Sequence, residues 1–213
     1  MMASPWKSTV TVQAASKDMT VLATVLAELG LSGTDAARDA LIVTLIHQAS
    51  AAIVGWCGRE FAAETLVDEF RTSGERSCIE ALILSRRPVT AISAVVEDGT
   101  ALSGADYEVD PATGFLWRLD GADGRIAWAH ARIQVTYTAG YVMLTTLPQD
   151  LERACIDLVK HRWFARARDA TLKSREVVDV GREDYWVGGI PGQDGGMPAE
   201  ISVLLEPWRE LRV

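Results

Sequence analysis

The feature that most constrains this chain is a change of hydrophobic period, made twice. "TDAARDALIVTLIHQASAAIVGWCG", Thr34 to Gly58, repeats its apolar residues at helical spacing. Ile42, Ile46, Ala49, Ile53 and Trp56 follow one another at four, three, four and three residues. That spacing places all five on one face of an α-helix. Leu41, Leu45 and Ala52 widen the face, so the helix has to be covered on much of its circumference. From Ala63 to Ala139 the period falls to two. "ETLVDEFRTS", "CIEALILS", "VTAISAVVED", "DYEVD", "GFLWRL" and "RIQVTYTAG" are short, β-branched or aromatic, and separated by turn residues, as strands are. "LPQDLERACIDLVKHRWFARARD" then returns to helical spacing, with Leu151, Ala154, Cys155, Leu158 and Val159 on one stripe. Helices on both sides of a strand region require a fold of mixed class.

Local signals refine the pattern. "STVTVQ" suggests a strand in an extension covering residues 1–17. Asp18 reads as the cap of "MTVLATVLAELG", a short helix closed by Gly30; Thr34 or Asp35 caps the long helix and Gly58 ends it. Asp98-Gly99 fits a tight hairpin, and Asp110 to Gly114 a longer turn, so residues 63–139 read as an antiparallel meander. In the later helix Pro148, Asp150 and Glu152 stand at the start. Lys160, Arg162, Arg166 and Arg168 stand at the end, where the helix dipole favours cations. Beyond Arg168 the chain is rich in glycine and polar residues, with one strand expected at Glu176–Val180. "PAEISVLLEPWREL" then offers a last helix with Ile201, Leu204, Leu205 and Trp208 on one face. The expected architecture is α+β, mainly helical: a helix bundle with a small antiparallel β meander inserted and an extended C-terminal arm. Its organisation is an extension (1–17), a core (18–168, meander 63–139), and a flexible linker with a docking helix (169–213).

No catalytic, cofactor or metal constellation emerges. The chain has 213 residues, 48% of them hydrophobic, which suits one domain plus arms. With 29 acidic against 21 basic side chains its net charge is −8, which disfavours dedicated nucleic-acid binding, though not passage of DNA alongside. Cys57, Cys78 and Cys155 are widely separated and imply no disulfide framework, so folding in a reducing cytoplasm is expected. Neither a signal peptide nor an unbroken apolar run of ~18 residues is present, so no membrane span is expected. His47, His130 and His161 each stand alone in sequence, without zinc spacing. Asp98, Asp106, Glu108 and Asp110 have the density of a calcium loop or an acid/base pair. Pro111 and the lack of a closing Glu oppose the loop, and alternation puts Asp106, Glu108 and Asp110 on the solvent face of a strand. The reading is structural. The basic run Lys160–Arg168 reads first as dipole compensation and next as a contact between subunits, through Arg162 and Arg166. Of the seven tryptophans, Trp186 and Trp208 lie where one domain has little left to bury them, and tryptophan is favoured as an interface anchor.

In order, "LIHQASAAIVGWCGREF", "LSRRPVTAISAVVEDGTALSGADYEVDPATGFLWRL", "IQVTYTAGY", "LPQDLERACIDLVKHRWFARAR" and "PAEISVLLEPWRE" resemble the head–tail connector (adaptor) proteins of long-tailed bacteriophages, prophages and gene-transfer agents. The resemblance spans about Leu22 to Arg209, and Arg87-Pro88-Val89 and the "VTYTAGY" strand are among its most specific parts. It implies a structural subunit of a ring, usually a dodecamer, beneath the portal at the neck of a virion or phage-like particle, made in the bacterial cytoplasm. The ring continues the DNA channel and docks the tail. Implied partners are further copies of the chain, the portal, and a tail-terminator or head-completion protein, with DNA passing unread. Ile201, Leu204, Leu205 and Trp208 are the implied portal-docking residues; Trp186, Arg162 and Arg166 are candidate intersubunit contacts. Two alternatives stand beside this: another neck protein, head-completion or tail-terminator, and a small hydrolase using Asp106, Glu108 or Asp110.

Overall fold

A computed structural model describes residues 2–71, 79–122, 124–128, 132–166, 174–177, 181–184 and 197–210. The chain forms two compact units, each built from two stretches: Met1–Ser16 with Glu60–Val142, and Lys17–Arg59 with Met143–Val213.

The first unit is made of strands: β1 (Met2–Ala3), β2 (Lys7–Val12), β3 (Glu64–Arg71), β4 (Ala81–Ile83), β5 (Val89–Glu97), β6 (Thr100–Ala101), β7 (Tyr107–Val109), β8 (Phe115–Leu119), β9 (Arg125–Ile126) and β10 (Arg132–Ala139). They form two sheets. One has the order β2-β3-β10-β5-β6; the other runs β1-β4-β8-β7, with β9 also on β8. Period two in β3 turns Leu66 and Phe70 inward. In the paired β10 it turns in Ile133 and Tyr137, opposite Phe70 and Leu66. Leu82 of β4 and Leu116 of β8 close the same core from the second sheet, joined by Val89, Val95 and Trp128.

This corrects the expected architecture. The strand region is not a small meander in a helix bundle but a two-sheet unit with its own core. Nor is its pairing sequential, since β3 and β10, the outermost long strands of the insertion, lie side by side. The reason is non-local: β1 and β2 come from the N-terminal stretch and complete a different sheet each, against β4 and β3. No local periodicity reports such a pairing. The entry and exit of the insertion meet where Tyr141 N donates to Phe61 O at 2.7 Å and Ala63 N to Tyr141 O at 2.8 Å. Gly140 fits there because its φ is +110° and a Cβ would stand 2.5 Å from Ala62 O.

The second unit holds α1 (Leu22–Glu28), α2 (Ala36–Cys57), α3 (Gln149–Ala165), a hairpin of β11 (Ser174–Val177) and β12 (Gly181–Asp184), and α4 (Ala199–Leu205). Asp35 caps α2 by accepting from Ala37 N and Arg38 N, both at 3.1 Å, and Gly58 ends it at φ 71°. By length and composition α2 also passes for a bilayer-spanning helix. Here its Ile42, Leu45, Ile46, Ala49 and Ile53 are buried, and α1 and α3 pack on it. α1 starts later than the sequence suggests. Its N-cap is Val21, because Met19 is buried with its N–H donated to Ser50 Oγ at 3.1 Å, and Asp18 engages His47 instead. The extended C-terminal arm is corrected too: α4 packs against α3 and buries Ile201 and Leu205.

Candidate functional site

The carboxylates that looked most like chemistry are committed to backbone geometry or, for Glu108, to a surface ion pair. Asp98 takes φ 47° at the β5–β6 turn and accepts from Arg132 N at 2.8 Å. Asp106 accepts from Ser103 N at 2.8 Å, completing a capping box on a short 3-10 turn. Glu108 pairs with Arg125 at 2.8 Å on an exposed surface. Asp110 accepts from Ala112 N at 3.0 Å and the Thr113 hydroxyl at 2.6 Å, and the Thr113 bond holds its carboxyl below the usual aspartate range. None of these side chains shares a bond with another. Beside them, Leu116 faces the core of β8, so Phe115 and Trp117 lie half-buried on the opposite face, with the Arg125 guanidinium 3.9 Å from the Trp117 ring.

His47 is exposed on α2, its Nδ1 at 2.6 Å from Asp18 Oδ1; His130 and Cys78 lie outside the described residues. Cys57 and Cys155 are buried, which pushes each thiol up to about 11 and leaves neither a nucleophile near neutral pH. Among the described residues no three His, Cys, Asp or Glu side chains converge as a metal site requires.

A polar cluster that sequence reasoning passed over sits inside the strand unit. Asp68 is fully buried; it accepts from Ser85 N at 2.7 Å, Ser85 Oγ at 2.8 Å and Tyr137 OH at 2.8 Å. Arg86 N donates to Tyr137 OH at 3.1 Å, and Ser8 Oγ of β2 lies 2.8 Å from Ser85 Oγ. Buried Glu64 accepts from the Arg86 guanidinium. Burial raises the Tyr137 phenol above its usual range, with the Asp68 charge adding to the effect. The cluster fastens the Ser85–Pro88 turn, with its cis Arg87-Pro88 bond, to β3 and β10. The signal was present in "ETLVDEFR": alternation puts Glu64 and Asp68 on the same face as Leu66 and Phe70, where a carboxylate has to find donors. Every donor here is part of the scaffold, and the cluster reads as an internal fastening.

The remaining candidates from the sequence lie at the ends of helices. Of the expected docking residues, Ile201 and Leu205 are buried within the second unit, whereas Leu204 and Trp208 are half-buried. Glu210 N donates to Cys57 O at 2.7 Å, and Arg209 stands 5.0 Å from the Trp56 ring, so the segment is seated on α2 as well. Arg162 is half-buried near the end of α3, where burial pulls its guanidinium below the usual arginine range. Arg166 is exposed and stacks over Trp163 at 4.2 Å. Trp186 lies outside the described residues. The structure thus places Arg162 and Arg166 on one helix end, with α4 beside that helix.

Comparison with known proteins agrees with a structural role. The model of a family described as head completion protein matches residues 23–176. Among solved structures, a chain from the neck of an empty GTA particle, computed with C6 symmetry, superimposes with a TM-score of 0.57 at 21% identity, covering 97% of both chains. A chain of the native GTA particle neck, computed with C12 symmetry, gives 0.56 at 19% identity with the same coverage. A chain of the native gene transfer agent virion gives 0.56 at 19% identity over 97% of this chain and 96% of that one. No protein with a curated description matches.

Proposed function

Since this chain belongs to the head completion protein family, a family of structural phage-neck proteins, we propose that it is a subunit of the head–tail adaptor ring beneath the portal. In that position it continues the DNA channel and presents the surface on which the tail docks. The observation that carries this reading is the extent of the fold likeness. It covers 97% of this chain and 97% of a neck chain, so both sequence-distant units are shared and not one common motif alone. Two features of this molecule support it. The candidate carboxylates are spent on turns, caps and ion pairs, which leaves structure as their work. An excess of eight negative charges suits a wall past which DNA slides without adhering.

Docking to the portal by the C-terminal segment fits with α4 left in its seat. Leu204 and Trp208 then supply accessible surface, while Ile201 and Leu205 hold the helix in place from beneath. The family description itself favours a second reading, a head-completion subunit of the neck. Cryo-electron microscopy of particles separates the two. Density for this chain in a ring directly against the portal is the expected result. A position separated from the portal by another ring selects the head-completion reading. Normal tailed particles from cells lacking the gene would overturn both.

A further inference from the structure

The buried stripe of α3 runs through Leu151, Cys155, Leu158 and Val159, and helical spacing carries it on to positions 162 and 166. Those positions are arginine. Among the described residues no carboxylate pairs with half-buried Arg162, and burial without a counter-charge is costly for a cation. Arg166 is held over the Trp163 ring, which orients its charge without neutralising it. The helix end therefore presents two cations and an indole, residue types that dominate interface hot spots.

α4 carries the complement. Opposite its buried Ile201 and Leu205 stands Val203, 73% exposed, with Glu200 and Glu206 to either side on the helical wheel. Among the described residues Glu200 has no cation partner, and Glu206 has only a 4.0 Å approach to Arg209. Although α3 and α4 pack together in one chain, no ion pair joins these two patches there.

We infer that the patches belong to different copies: Glu200, Val203 and Glu206 on α4 of one subunit dock on Arg162, Trp163 and Arg166 at the end of α3 of its neighbour. Each copy carries both halves of this contact, and two unlike patches on one molecule give a head-to-tail interface that can close into a ring. Opposite charge on the two halves sets the register and disfavours patch-to-like-patch pairing. The assignment rests on the ring reading above and names its interface.

The test is complementation in trans, scored by electron microscopy of particles and by native mass spectrometry of the protein assembled on its portal. Arg162→Glu places three glutamates and one arginine at the contact; Glu200→Arg places three arginines and one glutamate. Each alone is expected to lower ring-bearing particles on the order of ten-fold, with an unchanged melting temperature. Mixed together, the two variants can alternate around a ring so that every contact again joins opposite charges at 162 and 200, and rings return. A fastening within one chain would not be rescued by mixing, because each chain keeps its own mismatch. Rescue only by the double variant R162E/E200R, or intact rings with either single variant, overturns the inference. If the wild-type protein forms no ring on particles, the adaptor reading falls; if it does and R162E is silent, only this contact falls.

Discussion

At the scale of single residues, what decides this protein is where buried polar groups find partners. Asp68 is an acceptor in a core, tolerable because Ser85 and Tyr137 bring three donors to it. Tyr137→Phe removes one of the three and strips Arg86 N of its acceptor. It is expected to lower stability by about 1–3 kcal/mol, read from the midpoint of urea unfolding. A loss well below that would mean water replaces the hydroxyl. The opening carboxylates of the meander show the converse. Asp110 was legible as a turn residue because its short acceptor satisfies the N–H of Ala112 two residues on, and Asp98 because Gly99 beside it takes the positive φ of a tight turn. Asp68 was not, because its donors lie 17 and 69 residues away in sequence.

At the scale of elements, the helices were read closely and the sheets only in part. The stripe of α3 matched its buried face, and that of α2 did so except at its end, where Cys57 is buried and Trp56 half-buried, since a 3.6-residue period reports a helix face whatever it packs on. Each long strand was also visible, but strand partners are set by chain closure, and β2-β3-β10-β5-β6 cannot be read from alternation. α4 was visible as an amphipathic helix; that its apolar face is spent within its own unit was not. Leu205→Ala is therefore expected to cost about 2–5 kcal/mol of stability, measured by thermal unfolding of the purified protein. Val203→Asp, on the exposed side, should leave the melting temperature unchanged while reducing ring formation. A melting temperature unaffected by Leu205→Ala would return α4 to the role of a free arm.

At the scale of the whole molecule, burial holds three weak acids in their protonated forms, Cys57 and Cys155 in the helical unit and Tyr137 in the strand unit. A folded-state pKa above the unfolded one adds stability that is complete below the unfolded value and is lost as pH rises through the folded value. The thiols, raised to about 11, and the phenol, raised further, therefore predict a melting temperature that falls steadily above about pH 9. A flat profile from pH 8 to 11 would contradict it. At pH 8 Cys57 and Cys155 should resist alkylation until the chain unfolds, a check made by mass spectrometry.

By itself the sequence determined the alternation of helix and strand, the helix faces, the turn chemistry and the lack of a legible catalytic motif. All of these are set within a few residues of where they are read. Its order of motifs also pointed to the neck-protein resemblance. Tertiary structure decided that the strands form two sheets around their own core, that the N-terminal stretch completes both, and that Asp68 and Glu64 are buried. It also decided which side of α4 remains open. These depend on which distant segments meet, and a period in the sequence describes a face without naming what covers it.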